Sequence, residues 1–336
     1  MHGKTIFTIL YLILSVFAVS CKKNPENSAP KNQTPVIAVI PKGTVHEFWK
    51  TVHAGAAKAG QELGVEIIWK GPLREDDRES QISMVETMVA RNVSGIVLAP
   101  LDDAALREPV LNAQRQGIPV VIFDSGLKGK DYVSYVATNN FNGGQLAGEY
   151  MSKLLGGKGK VVVLRYSEGS ESTTKREDGF ISAISKSPDI EIVSSNQYAG
   201  VTTETAMKAA ENLFERFRNP DGSLSIDGIF CAAESPTLGT LRSIENTGIA
   251  GKIKMVGFDT SEKMVAALRK GHLSGFVVQN PFKIGYLGVK TLVTHLNGQQ
   301  VEPLIDTGSV LITPENVDNL ELKDLVNPKD LLIANE

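Results

Sequence analysis

The 336-residue chain carries 35 Lys and Arg against 38 Asp and Glu, a formal net charge of −3. That balance leaves no basic footprint, so no nucleic acid is expected as a partner. Its two cysteines, Cys21 and Cys231, exclude a disulfide framework and a cysteine metal site, and neither a cofactor nor a metal is expected.

The chain opens on Met1, His2, Gly3 and Lys4, followed by an apolar run from Ile6 to Val19 that ends at Ala18-Val19-Ser20-Cys21. The run is shorter than the roughly 18 to 20 apolar residues that cross a bilayer, so residues 1–20 read as a secretion signal. The small residue before Cys21 resembles a bacterial lipoprotein cleavage site, with Ala18 standing where such sites usually carry Leu or Val. Lipidation of Cys21 is the expectation, and a plain signal with an incidental cysteine is the alternative. Residues 21–34, with the stretch KKNPENSAPKNQT, hold no apolar side chain larger than Ala and read as a flexible tether.

About 300 residues follow, too many for one ordinary core and suited to two domains. Short Val/Ile-rich runs lie at 36–40, 65–69, 95–99 and 119–123, and segments long enough for helices separate them at 48–63, 79–92 and 104–116. Buried parallel strands have this composition, and the alternation is a βαβ series. After VSYVA at 133–137, strands are expected at 160–164, 190–194, 228–232, 254–258 and 274–278. The helices between and after them are expected at 141–155, 172–185, 203–218, 236–247, 261–270 and 281–296. The fold class is α/β, with two doubly wound parallel-sheet lobes. Cys231, in the apolar stretch GIFCAA, is expected as a small buried hydrophobe.

In open parallel sheets the ligand crevice lies beyond the carboxyl ends of the strands. Lys42, His46, Asp124, Ser125, Asn139, Asn140, Glu234 and Asp259 all fall there. One such residue is ordinarily a helix cap or turn former, and it is the recurrence that points to a site.

These residues and their surroundings resemble the type I periplasmic binding proteins, in the ribose-binding branch of the sugar ABC-transporter receptors. The similarity runs from about Val36 to Thr313. It is most specific in VGFDTSEKMVAALRKGHLSGFVVQNPFKIGYLGVKTL at 256–292, and it extends to TNNFNGGQLAGEYM from Thr138, STTKREDGF from Ser172 and GIFCAAESPTLGTL from Gly228.

The resemblance implies a three-segment hinge, with crossings near Ala137–Asn140, Gln279–Pro281 and Ile305–Thr307. Residues 35–138 and 281–305 would form the N-terminal lobe, and 139–280 and 306–330 the C-terminal lobe. It also implies a monomer that binds a small molecule, a sugar above all, and passes it to an ABC-transporter permease outside the cytoplasm, with a lipid anchor as the membrane contact. By position, Phe48 and Trp49 would flank the sugar ring, or else pack in the core. Asp124 and Asp259 would accept hydrogen bonds from hydroxyls, and Arg176 would supply a planar fork, with amides from Asn140 and Gln279. The bland alternative for the charged residues is an interlobe ion pair.

Four positions depart from the ribose pattern. Lys42 and His46 replace small or amide residues, Ser125 stands where an arginine is expected, and Ala233, before Glu234, where an asparagine is expected. A sugar other than ribose follows, because a lost buried hydrogen-bonding partner costs roughly 1 to 3 kcal/mol. Lys42 with Arg176 could also favour a sugar acid or sugar phosphate, unless Lys42 pairs with Asp124 or points to solvent.

The same binding chemistry would serve a receptor read by a chemotaxis or sensor-kinase partner. A repressor of this fold would need a helix-turn-helix where the signal and tether stand. No catalysis is expected: there is no Gly-x4-Gly-Lys phosphate loop or Gly-x-Ser-x-Gly elbow, and HEFWK at 46–50 lacks the second histidine of a zinc helix. NGG at 142–144 and LGGKGK from Leu155 lack the spacing of a dinucleotide fingerprint and read as a helix start and a turn.

Overall fold

A computed structural model describes residues 34–328, so the expected signal, Cys21 and residues 22–33 lie outside the described residues. The chain alternates strand and helix from its first described element: β1 (Val36–Ile40), α1 (Glu47–Leu63), β2 (Glu66–Trp69), α2 (Arg78–Ala90), β3 (Gly95–Leu98), α3 (Arg107–Arg115), β4 (Val120–Phe123) and β5 (Ser134–Ala137). Strands β1, β3 and β4 are almost wholly buried on both faces, which is why their sequences run apolar without alternation.

The second half repeats the pattern with α4 (Asn140–Leu154), β6 (Lys158–Arg165), α5 (Glu171–Ile184), β7 (Asp189–Tyr198), α6 (Thr203–Arg216), β8 (Gly228–Cys231), α7 (Glu234–Asn246), β9 (Lys254–Phe258), α8 (Glu262–Arg269) and β10 (Gly275–Gln279). Helix α9 (Pro281–Leu296) and two short strands, β11 (Leu304–Asp306) and β12 (Ser309–Ile312), follow.

Two six-stranded sheets result, with orders β11-β5-β4-β3-β1-β2 and β12-β10-β9-β8-β6-β7. All pairings are parallel except β10 with β12, so the second sheet carries one antiparallel edge strand. The two doubly wound, parallel-dominated lobes expected from sequence are present, with this one antiparallel strand at an edge. The chain passes between the sheets after β5, after β10 and between β11 and β12. Two of these passages end on helix caps: the Asn139 side chain accepts the Asn142 amide at the start of α4, and the Asn280 side chain accepts the Lys283 amide at the start of α9.

Segment 304–312, where the sequence marks only a crossing near Ile305–Thr307, holds an edge strand of each sheet. Strands of three and four residues with part-exposed side chains carry no periodic signal.

In each lobe one pair of helices packs backbone to backbone. A Cβ on Gly55 would overlap the Phe282 carbonyl, and one on Gly285 would overlap that of Val52, so α1 and α9 meet through glycine. Gly144 and Gly179 do the same for α4 and α5 against the carbonyls of Arg176 and Phe141. Only a residue without Cβ permits this approach. Cys231 is fully buried, donates to Thr240 Oγ1 at 3.3 Å, and has its thiol pushed up to about 12 by burial.

Candidate functional site

Between the carboxyl ends of the two sheets lies a narrow cleft of about 30 Å³, far below the roughly 300–1,000 Å³ of small-molecule sites, so a sugar enters only when the lobes stand further apart. Lys42, His46, Phe48, Trp49, Glu75 and Asp124 line it from the first lobe, and Tyr166, Ser172, Thr173, Arg176, Ala233, Glu234, Ser235 and Asp259 from the second, with Gln279 at a crossing.

Asp124 and Asp259 occupy equivalent places, immediately after β4 and β9. Each amide still donates to the neighbouring strand, Asp124 to Val136 O at 3.0 Å and Asp259 to Val277 O at 2.8 Å. The backbone then enters the left-handed region, at φ 61° and 66°, a conformation uncommon outside glycine and found where function holds it.

Each aspartate meets a cation. Lys42 Nζ lies 3.7 Å from Asp124 Oδ2 and donates to Ser170 Oγ at 3.1 Å and Ser172 Oγ at 3.0 Å. Burial pushes the Asp124 carboxyl up to about 6, against the pull of Lys42 and Arg176. Arg176 stacks 4.0 Å over the Phe258 ring and donates to Asn140 Oδ1 at 2.8 Å and Ala232 O at 3.0 Å, with Asp259 Oδ2 at 3.8 Å. Asp259 also accepts from Gln279 Nε2 at 2.7 Å and the Glu234 amide at 3.1 Å.

A third pair closes the first-lobe wall. His46 Nδ1 lies 2.9 Å from Glu75 Oε1, which also accepts the Trp49 indole N–H at 2.7 Å. Burial works against both charges. The hydrogen bond and charge of Glu75, with Glu234 and Asp259 beyond, nevertheless raise His46 to about 9. His46, Lys42 and the indole hold Glu75 down to about 2.

The remaining groups are not so satisfied. Glu234 Oε2, Ser235 Oγ and Gln279 Oε1 are buried and have no hydrogen-bond partner among the described residues. Buried polar atoms are ordinarily bonded, so three orphans around one cleft call for an occupant that brings hydrogen-bonding groups. Burial pushes the Glu234 carboxyl up to about 7.

Nine of the residues singled out from sequence thus meet at the cleft: Lys42, His46, Phe48, Trp49, Asp124, Arg176, Glu234, Asp259 and Gln279. Ser125 and Asn140 do not line it. The Ser125 hydroxyl accepts the Ser172 amide at 3.2 Å, and Asn140 holds Arg176 from behind. Trp49 both borders the cleft and packs at 2 % exposure in the first-lobe core, edge to face with Phe48 and Phe123.

Sequence reasoning passed over Glu75, Tyr166, Ser172, Thr173 and Ser235. Tyr166 follows β6 directly, so the strand-end rule would have found it. It is fixed by Glu177, which accepts the Tyr166 amide at 2.9 Å and Arg165 Nη1 at 2.7 Å.

The lobes touch around the cleft. Besides the Lys42 bonds, Glu171 Oε2 accepts the Gly126 amide at 3.1 Å and the Tyr135 hydroxyl at 3.4 Å, Arg78 donates to Glu168 O at 3.1 Å, and the Asp103 amide to Gly169 O at 3.0 Å. Among the described residues no group of His, Cys, Asp and Glu is placed to hold a metal, and no helix is long and apolar enough to cross a membrane.

Comparison with known proteins agrees with this architecture. A family model of the periplasmic binding protein domain matches residues 37–300. The D-allose-binding periplasmic protein of Escherichia coli is 29 % identical over 276 residues, 80 % of this chain and 86 % of that one. The ribose import binding protein of Haemophilus influenzae is 28 % identical over 258 residues, 77 % of this chain and 84 % of that one. A carbohydrate-transporter solute-binding protein of Agrobacterium radiobacter, solved with D-arabinose, superposes with a TM-score of 0.83 at 31 % identity, covering 88 % of this chain and 100 % of that one. One from Agrobacterium vitis with bound D-fucose gives 0.81 at 35 %, covering 87 % and 99 %. A model match over most of the chain, carried by the same paired sheets, makes this protein a member of the periplasmic binding protein family, in the ribose-binding-like branch of its type I members.

Proposed function

We propose that this chain is an extracytoplasmic receptor that captures a monosaccharide by closing its lobes and delivers it to an ABC-transporter permease, catalysing nothing itself. The carrying observation is the set of buried, partnerless atoms on Glu234, Ser235 and Gln279 around the cleft. Hydroxyls both donate and accept, so a sugar meets all three. Relatives described as binding ribose and allose, and structures solved with D-arabinose and D-fucose, support the ligand class.

Phe48, Trp49 and Tyr166 would pack on C–H faces of the ring. Arg176, Asp124 and Asp259 would bond its hydroxyls. Lys42 and Arg176 each already face an aspartate, which argues against a sugar acid or phosphate. The departures at Lys42, His46, Ser125 and Ala233 argue against ribose.

Residues 35–138 with 281–305, and 139–280 with 306–330, would move as two bodies about the three passages. Cleft groups from both bodies meet the ligand together only in the closed form, so the ligand favours closure. A lipid on Cys21 and the tether 21–34 would hold a monomer at the membrane.

The test is a thermal-shift screen of the purified chain against pentoses, hexoses, polyols, amino sugars, sugar acids and sugar phosphates. A ligand at about 100 times its Kd should add about 2.7 kcal/mol of stability, and Asp259→Ala or Arg176→Ala should abolish the gain. A folded sample that no sugar or polyol shifts would defeat the reading.

A further inference from the structure

The ionisable groups of the cleft do not cancel. Lys42 faces Asp124, Arg176 faces Asp259, and His46 is bonded to Glu75. Those three pairs leave Glu234. Its carboxyl forms no salt bridge among the described residues, is 7 % exposed and keeps Oε2 without a partner.

His46, at the N-cap of α1, is the positive charge that favours the ionised form of Glu234 but is committed to Glu75. Glu47 on the same turn and Asp259 after β9 add negative charge, while the amide of Phe48 favours the ionised form. Gln279, which lines the same cleft, keeps a second buried acceptor, Oε1, without a partner among the described residues. A buried, unpaired carboxylate is unfavourable until it takes a proton or meets a cation. A second unpartnered acceptor in the same cleft favours a group with several N–H donors.

We propose that the ligand is an amino sugar, a monosaccharide whose protonated amine is bound by Glu234 and Gln279. The inference rests on the monosaccharide reading of this cleft and goes beyond it by fixing one substituent. A hydroxyl in that place would leave Glu234 protonated or its charge unmatched. An ammonium supplies donors to both orphan acceptors and balances the fourth acid.

Calorimetric titration of the full chain at pH 6.5 tests this with D-glucosamine and D-galactosamine against D-glucose and D-galactose, and with N-acetyl-D-glucosamine as the uncharged amide. At that pH an amine in the usual α-amino range is protonated. At least one amino sugar should bind about tenfold tighter or more than its hydroxyl parent, a difference of about 1.4 kcal/mol. N-acetylation should erase that advantage, and Glu234→Gln should erase it too, leaving the amino sugar no tighter a ligand than its hydroxyl parent.

A second measurement needs no variant. Because the Glu234 carboxyl titrates at about 7, pairing it with a cation should release roughly half a proton or more to the buffer at pH 6.5, read from buffers of different ionisation enthalpy. Neutral sugars that bind as well as their amino counterparts, a preference that survives Glu234→Gln, or binding without proton release would each overturn the assignment while leaving the monosaccharide receptor intact. No binding of any sugar to folded protein would remove both.

Discussion

Replacing Glu75 by Gln removes one charge and little else, because the amide oxygen can still accept the Trp49 indole N–H that Glu75 now holds at 2.7 Å. What is lost is the field that holds His46 protonated. Raising that imidazole from 6.5 to about 9 is worth about 3 kcal/mol, at about 1.36 kcal/mol per pH unit. The matching depression of Glu75 from 4.5 to about 2 expresses the same interaction and is not added to it.

The signs fix the pH window. His46 is raised in the folded state, so its contribution is complete below 6.5 and is lost as pH rises through about 9. Glu75 is depressed, so its contribution is complete above 4.5 and is lost as pH falls towards about 2. Both are whole between 4.5 and 6.5.

Urea unfolding at pH 6 and pH 10, read as midpoints at constant m, should therefore show Glu75→Gln less stable than wild type by about 3 kcal/mol at pH 6 and by about 1 kcal/mol or less at pH 10, where a neutral hydrogen bond remains. Asp124, Glu177 and Glu234 are all raised, to about 6, 7 and 7, and lose their stabilisation as pH climbs through those values. They are present in both proteins and largely cancel in the difference. A gap below about 1 kcal/mol at pH 6, or one that does not narrow by pH 10, would refute the reasoning.

Glu171→Ala removes two bonds between the lobes, from the Gly126 amide and the Tyr135 hydroxyl. At about 1 kcal/mol each, the sugar-free protein should open measurably, seen as a longer interlobe distance between spin labels; an unchanged distribution would show that Glu171 does not hold the lobes together. Gly144→Ala would drive a Cβ into the Arg176 carbonyl and should cost about 1–3 kcal/mol in chemical unfolding. It should also weaken sugar binding, because the backbone displaced is that of Arg176. Wild-type stability and affinity in this variant would contradict the backbone contact between α4 and α5.

The sequence shows most of the strands and helices because burial on both faces leaves continuous Val/Ile runs such as VVIF at 120–123 and GIFC at 228–231. The edge pair at 304–312 escapes because three or four half-exposed residues have no pattern to read. The cleft is legible where one polar residue follows an apolar strand, as at Asp124 and Asp259. Glu75 is hidden differently. In Arg74-Glu75-Asp76-Asp77 all four residues look like a solvated run, and only the fold shows that one of them turns inward to His46 while Arg74 bonds Asp76 outside. The glycines of NGG read as a helix start, and nothing local shows that Gly144 receives the backbone of another helix.

The packing of α9 on α1 has a consequence for the order in which the molecule is made. The first sheet has four of its helix-linked strands in hand by residue 123 and a fifth, β5, by residue 137, but the helix that covers them begins at Pro281 and the edge strand at Leu304. Between those points the chain must emit the bulk of the other lobe. At about 5–20 residues per second, the apolar wall formed by Trp49, Val52, Val97 and Phe123, which ends up against Ile284, Val289 and Leu292, waits roughly 7 to 30 s for its cover. The lobe begun first is completed last, and its uncovered face is where a newly made chain is most open to aggregation.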